Sequence, residues 1–234
     1  MPHDPAAFTQ GFELAGPSLW EGTGLVGQSQ LRETDPTTGA VRRAVDLPAD
    51  QFGEGITVTP TAIWQLTWKN GVVYERDPAT LAVRRTVGLD REGWGICHTG
   101  GVPGVELRSA ASPGDLVTSD GSTQLVVRDP ATFAPRRTLE TGVSQLNELE
   151  CVGSTVWANV WRTDEIVGVD LATGQVTTVV DASALRPAQT RSDPDAVLNG
   201  IAAIPGTASP DGRAEFLLTG KRWPTTFRVA LRAP

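Results

Sequence analysis

The phrase "RDPATLAVRR", Arg76–Arg85, constrains the fold more than any other stretch, because it recurs. It appears as "TDPTTGAVRR" at Thr34–Arg43, as "RDPATFAPRR" at Arg128–Arg137 and, degraded, as "VDLATGQVTT" at Val169–Thr178. The leading aspartates, Asp35, Asp77, Asp129 and Asp170, are 42, 52 and 41 residues apart. Each copy reads as a turn: the Asp starts it, a proline in three of the four fixes φ, and a Thr hydroxyl is at hand for the backbone. Alternating runs flank the turn, "VVYER" before the second copy and "VRRTVGL" after it, so the unit is a β-hairpin.

A further apolar strand precedes each hairpin: "SLWEGTG", "AIWQLTW", "DLVTSDG" and "TVWANVW". Ahead of the last three stand "FGEGITV", "GWGICHT" and "LNELECV", and a relative, "LNGIAAI", precedes "EFLLTGK". Four short strands repeated every ~40–45 residues mark the blade of a β-propeller. The four hairpins predict four blades. The C-terminal "AEFLLTGKRWPTTFRVAL" needs an inner partner, and "FTQGFEL", in which Phe8–Phe12 overlays Phe52–Ile56, is expected to supply it. The predicted fold is therefore all-β: a five-bladed propeller of four-stranded antiparallel blades, one domain over residues 1–234, closed by N- and C-terminal strands sharing a blade. A β-sandwich would not put the repeat in phase with the turns, and 25 Gly and 17 Pro spread along the chain argue against helices. The inserts "GVPGVELRSAASPG" and "RPAQTRSDPDAV" are expected to be long loops between blades.

The formal charge of −7 argues against nucleic acid or an anionic membrane as the main partner. No apolar run approaches the ~20 residues of a membrane span. The start, "MPHDPAAFTQGF", has neither the basic nor the apolar region of a signal peptide, so a periplasmic or secreted location would require a leader removed ahead of it. Two histidines, His3 and His98, and two cysteines, Cys97 and Cys151, offer no zinc spacing, and neither metal nor cofactor is expected. The cysteines read as equivalent positions on adjacent inner strands, which leaves their pairing open.

"FGEGIT", Phe52–Thr57, puts a carboxylate between two glycines inside a strand-like run, where both are poor formers. The propeller explains this. Inner strands stand side by side around the axis, so equivalent residues of successive blades form a ring. Glu54 then shares a ring with Gln10, Trp94, Glu148 and, shifted by one, Asn199. The glycines beside it, Gly11, Gly53, Gly55, Gly93, Gly95 and Gly200, are expected to leave a hollow there. A small pocket with a few converging polar groups is the default ligand site.

Ten motifs, in order, carry a resemblance: "FTQGF", "GTGLVGQSQLR", "FGEGIT", "QLTWK", "GWGI", "SDGS", "QLNELE", "NVW", "VLNGIA" and "LTGKRWP". From Phe8 to about Phe227 the chain resembles the glutaminyl-peptide cyclotransferases of plant and bacterial type. The resemblance implies a five-bladed propeller and an activity, cyclisation of N-terminal glutamine to pyroglutamate with release of ammonia. The partner implied is a peptide or protein with N-terminal glutamine, and a monomer is expected. Animal enzymes with this activity use zinc on an unrelated fold, and the ligands for that are missing here.

In that reaction the substrate's α-amino group attacks its own carboxamide carbon. The side chain must be held folded back, the oxyanion needs donors, and a proton must reach the departing nitrogen. Glu54 is expected to shuttle the proton, since a semi-dry channel raises a carboxyl pKa, and the resemblance places the family's essential glutamate in this motif. The resemblance also places the family's asparagine at Asn147, expected to donate its amide to the substrate carbonyl oxygen, and its lysine at Lys221, expected to stabilise the oxyanion or tune Glu54, with a structural ion pair as the alternative. Gln10, Trp68, Trp94 and Trp161 are expected to form the walls, with Phe8 and Phe52 lining the pocket or packing behind it. Trp68 and Trp161 occupy equivalent blade positions, whereas Trp20, Trp64 and Trp157 read as blade core. Ser119, Asp120 and Asn159 are second-tier candidates for the peptide amine; Glu148, Glu150 and Lys69 receive no role. The competing readings are a non-catalytic propeller that binds peptide or protein on its top face, and a metal-centred hydrolase using axial carboxylates and Asn.

Overall fold

The computed structural model describes residues 1–100, 114–207 and 214–231, and within them the regular elements are all strands apart from two 3₁₀ turns. The first blade is β1 (Thr9–Ala15), β2 (Ser18–Thr23), β3 (Gln30–Thr34) and β4 (Val41–Asp46). The second is β5 (Gly53–Val58), β6 (Ile63–Thr67), β7 (Val72–Arg76) and β8 (Val83–Gly88). The third is β9 (Ile96–His98), β10 (Leu116–Ser119), β11 (Gln124–Arg128) and β12 (Pro135–Glu140). The fourth is β13 (Leu146–Val152), β14 (Thr155–Val160), β15 (Glu165–Asp170) and β16 (Val176–Asp181). The last has three strands, β17 (Leu198–Ala203), β18 (Ala214–Gly220) and β19 (Phe227–Leu231). Neighbours within every sheet are antiparallel, and the five sheets form a five-bladed propeller.

The repeated phrase connects the two outer strands of a blade and joins that blade to the next. Asp35 Oδ1 accepts from the backbone N–H groups of Thr37 and Thr38 at 2.8 and 2.9 Å, and Arg42 grips its other oxygen at 2.6 Å. Asp77 with Arg84, and Asp129 with Arg136, repeat the arrangement. The second arginine of each pair reaches the following blade's turn: Arg43 donates to the carbonyl of Pro78 at 2.7 Å, Arg85 to Ala131 at 2.6 Å and Arg137 to Leu171 at 2.8 Å. In the fourth copy Asp170 keeps its turn bonds, but Thr177 and Thr178 replace the arginines.

Apolar cores lie between the sheets. Trp64 stacks on Phe133 of the next blade at 5.3 Å, and Trp157 meets Phe216 of the last blade edge-on at 5.7 Å, as expected for blade-core tryptophans. Cys97 in β9 and Cys151 in β13 form a disulfide between adjacent blades. The two are not equivalent positions: the strand registers align Ile96 with Leu149, so Cys97 matches Glu150.

Two expectations need correction. The inner strand of the last blade is β17, not "FTQGFEL", which is β1 of the first blade. The chain ends still share the last blade, through a different segment: Met1–His3 lie alongside residues 224–226, with a bridge from Pro2 to Thr225 and His3 N–H donating to Pro224 O at 3.0 Å. The insert at residues 101–114 falls between β9 and β10 of a single blade rather than between blades, and residues 101–113 lie outside the described ones. The insert at residues 186–197 does join two blades, after one 3₁₀ turn (Ser183–Leu185) and through a second (Ala188–Thr190).

Candidate active site

Four inner strands break register in the same place. The pairing slips between Thr9 and Gly11, Gly53 and Ile56, Leu146 and Leu149, and Leu198 and Ile201. Such bulges re-aim side chains and are common beside functional sites. Matching the registers puts Gln10, Glu54, Asn147 and Asn199 at one bulge position, and Trp94, just ahead of β9, falls in line with them. The ring is thus Gln10, Glu54, Trp94, Asn147 and Asn199. Glu148 does not belong to it: it sits one place further on, level with Gly11, Gly55, Gly95 and Gly200.

The glycines serve close approach of the strands rather than a hollow. A Cβ on Gly11 would lie 2.3 Å from Ile56 N, one on Gly55 2.7 Å from Trp94 O, and one on Gly95 2.0 Å from Asn147 O. Inner strands meet backbone to backbone around the axis, and only glycine fits. Glu148, at the same level, sends its carboxylate to the N–H groups of Phe12 at 3.3 Å and Ile201 at 2.8 Å, in the first and last blades. Glu13 and Glu150 likewise accept from Val58 N–H at 2.9 Å and Ala203 N–H at 3.1 Å. All three are buried. Burial pushes the carboxyl of Glu13 up to about 7, and raises those of Glu148 and Glu150 well above their usual range. They tie inner strands together, a structural use that supplies the role Glu148 and Glu150 lacked.

At one end of the axis the ring opens into a pocket of about 180 Å³. Its lining includes Gln10, Glu54, Trp94 and Asn147 from the ring, and Phe8, Phe52, Trp68, Trp161 and Lys221 from the strand ends around it. All nine expected site residues are therefore brought together. The aromatic rings meet edge to face, Phe8 to Phe52 at 6.0 Å, Phe52 to Trp68 at 5.6 Å and Trp94 to Trp161 at 5.5 Å. Trp68 and Trp161 follow β6 and β14 at matching places, their backbone N–H groups bonded to the carbonyls of Phe52 and Gln145.

Glu54 is 4 % exposed, and Gln10 Nε2 donates to its Oε1 at 3.1 Å. Burial raises its carboxyl well above the usual range; the Lys221 charge opposes that rise and the Glu92 charge adds to it. Lys221 is 3 % exposed, with Nζ 4.8 Å from the Phe8 ring centroid. Burial lowers its ammonium to about 8, against the pull of Glu54 and Asp195. Asn147 is 3 % exposed and its Oδ1 has no hydrogen-bond partner. A buried polar atom without a partner is costly and rare, and in a pocket wall it has capacity for a ligand. The pocket thus presents a carboxyl that titrates toward neutrality, a cation with a depressed pKa and a free amide oxygen, inside aromatic walls.

The second-tier residues do not line this pocket. Ser119 is a brace, accepting from Gly95 N–H at 2.8 Å and donating to Asn147 O at 2.7 Å. Asp120 pairs with Arg91 at 3.1 Å, and Asn159 accepts from Gly200 N–H at 2.9 Å. Asn199 does not line it either; its Nδ2 donates to Thr9 O at 2.9 Å and to Gln10 Oε1 at 3.4 Å. Two residues escaped the sequence reading. Asp195 lines the pocket beside Lys221, and Glu92 bridges two wall tryptophans. Both come from connections outside the repeat; "EGWGIC" displayed Glu92, but without a counterpart in other blades.

Comparison with known proteins agrees with this arrangement. The sequence profile of the glutamine cyclotransferase family matches residues 1–231. A glutaminyl-peptide cyclotransferase of Arabidopsis thaliana is 31% identical over 240 residues, covering 99% of this chain and 69% of that protein. The crystal structure of Myxococcus xanthus glutaminyl cyclase superposes with a TM-score of 0.80 at 32% identity, over 97% of this chain and 91% of that one. Kuenenia stuttgartiensis hydrazine synthase, at 14% identity and a TM-score of 0.52 over 92% of this chain and 56% of that one, shares the fold alone.

Proposed function

The chain belongs to the glutamine cyclotransferase family, and on that footing we propose that its pocket cyclises N-terminal glutamine of peptides or proteins to pyroglutamate, releasing ammonia without a metal. The observation that carries the reading is the meeting, in one small aromatic pocket, of Glu54 with a raised pKa, Lys221 with a lowered one and Asn147 with an unpartnered oxygen.

The aromatic walls take the substrate's methylenes and carboxamide and hold the side chain folded over its own amine, a proximity effect. The neutral amine attacks the carboxamide carbon; a C–N bond forms and the carbonyl electron pair moves to oxygen. Lys221 and the Asn147 Nδ2 donate to that oxyanion. Glu54, as carboxylate, takes a proton from the attacking nitrogen and passes it to the departing one, which leaves as ammonia when the carbonyl re-forms. Gln10 holds one Glu54 oxygen, keeping the other for this transfer. Asn147 Oδ1 accepts a substrate N–H.

The test is ammonia release from a short peptide with N-terminal glutamine, with and without EDTA. Release well above the spontaneous rate, unchanged by EDTA, is expected. Saturable binding without ammonia would refute catalysis, and activity lost to chelator and restored by calcium would refute the metal-free route.

A further inference from the structure

The pocket's aromatic wall is built in two halves. Phe8, Phe52 and Trp68 touch in sequence, and Trp94 touches Trp161, but among the described residues no ring contact joins Trp68 to Trp94. What spans the gap is a carboxylate. Glu92 Oε2 accepts from Trp68 Nε1 at 2.8 Å and from Trp94 Nε1 at 3.2 Å, while its Oε1 lies 3.4 Å from Lys69 Nζ. The two indoles come from different blades, Trp68 following β6 and Trp94 preceding β9. Lys69 in turn lies over the Trp68 ring, 4.1 Å from its centroid.

We propose that Glu92 is a positioning residue for the reaction: by holding both indole N–H groups on one oxygen it locks the halves of the wall at the spacing in which a glutaminyl side chain folds back on its amine. This rests on the cyclase reading of the pocket. A plain surface ion pair with Lys69 is worth little and needs neither indole. Charge-assisted hydrogen bonds from two donors to one oxygen fix direction as well as distance, and an indole otherwise turns about two side-chain torsions. Loosening either tryptophan would leave the pocket able to bind but poorer at enforcing the attack geometry, so the loss should fall on kcat more than on KM.

Glu92 also carries a charge near the reacting groups. Against partial burial, the bonds from Trp94, Trp68 and Lys69 hold its carboxyl below the usual range, so it is an anion throughout the working pH. The groups that face Glu54 are Lys221, which favours its anion, and Glu92, which opposes it; Lys221 is also faced by Asp195, and Glu92 by Lys69.

Two variants separate position from charge. Glu92→Gln keeps an acceptor oxygen for the indoles but no charge; Glu92→Ala keeps neither. For Glu92→Ala, kcat/KM for a glutaminyl peptide should fall about tenfold, mostly in kcat, the loss expected of weakened charged hydrogen bonds. For Glu92→Gln it should stay within about threefold at the optimum, while the acid limb of its pH profile moves to lower pH. The indole Nε1–H resonances of Trp68 and Trp94, assigned by Trp→Phe variants, should move and exchange faster in Glu92→Ala and stay protected in Glu92→Gln. Wild-type kcat with unmoved indole signals in Glu92→Ala would overturn the proposal, as would equal losses in both variants. If the wild-type protein released no ammonia, the cyclase reading would fail, and the two indole signals would still decide whether Glu92 holds the wall.

Discussion

Replacing Glu54 by glutamine isolates the proton shuttle from everything else in the pocket. The amide has the shape of the carboxyl, and its oxygen can still accept from Gln10 Nε2, the 3.1 Å contact that orients the side chain. Asn147, Lys221 and the aromatic walls stay in place, so substrate binding and oxyanion stabilisation are retained. What disappears is a group able to accept and return a proton, and at 4 % exposure there is little room for water to stand in. A positioned acid/base is worth ~10²–10⁴-fold in rate, or about 3–5 kcal/mol of barrier. The variant should therefore lose that factor in kcat, with KM changed by no more than about threefold, since the loss lies in the transition state.

The assay is ammonia release from a glutaminyl peptide across pH, with circular dichroism and thermal unfolding to establish that the fold persists. The acid side of the wild-type profile should hold two contributions, Glu54 losing its proton and the substrate amine, at about 7.7–8.0, losing its own. In Glu54→Gln only the amine should remain. A folded variant within tenfold of wild-type kcat, or one with an unaltered acid limb, would remove Glu54 from the mechanism.

Three further outcomes follow from the same geometry. Lys221→Met should cost about 10²–10³-fold in kcat through loss of an oxyanion donor, and should erase the alkaline fall in rate that Lys221 deprotonation near pH 8 gives the wild type. Gly55→Ala would put a methyl 2.7, 2.8 and 2.9 Å from backbone atoms of Trp94, Gly95 and Ile96, where nothing can rotate aside; overpacking of this kind costs about 1–3 kcal/mol, and an unshifted urea midpoint would contradict it. Stability should fall as pH rises from about 4.5 to about 7, because Glu13, with Glu148 and Glu150, holds in the folded state a proton that the unfolded chain gives up. The raised pKa of His3, which pairs with Glu21 at 3.0 Å, acts in the same sense, its contribution full below about 6.5 and lost as pH rises through the folded value. Melting temperatures between pH 4.5 and 7.5 would show this slope, and Glu13→Gln should make it shallower.

The parts of this molecule legible in the sequence are those that repeat. "DP-x-T" and its arginine pair recur because each turn must both close on itself and grip its neighbour, so symmetry writes the same chemistry several times. The site is built on that symmetry: once the inner strands are recognised as equivalent, Gln10, Glu54 and Trp94 converge without coordinates. Lys221 and Asn147 came from the resemblance instead, and the structure puts both in the same pocket.

What stayed hidden is what breaks the repeat. A bulge adds one residue without changing composition, so "LNELE" does not reveal which of its polar residues faces the axis. Alternation alone favours Glu148, by analogy with the glutamate of "FGEG". The structure shows the opposite, because the bulge carries Asn147 into the pocket and leaves Glu148 at the level where other blades need glycine. That exchange has a physical logic. Glycine at this level lets two inner strands touch, whereas a glutamate reaches across to N–H groups of two other strands, Phe12 and Ile201, at the cost of a buried carboxyl. A single position therefore does the same job, holding inner strands together at the axis, by two unrelated means, and residue type alone points only to the first.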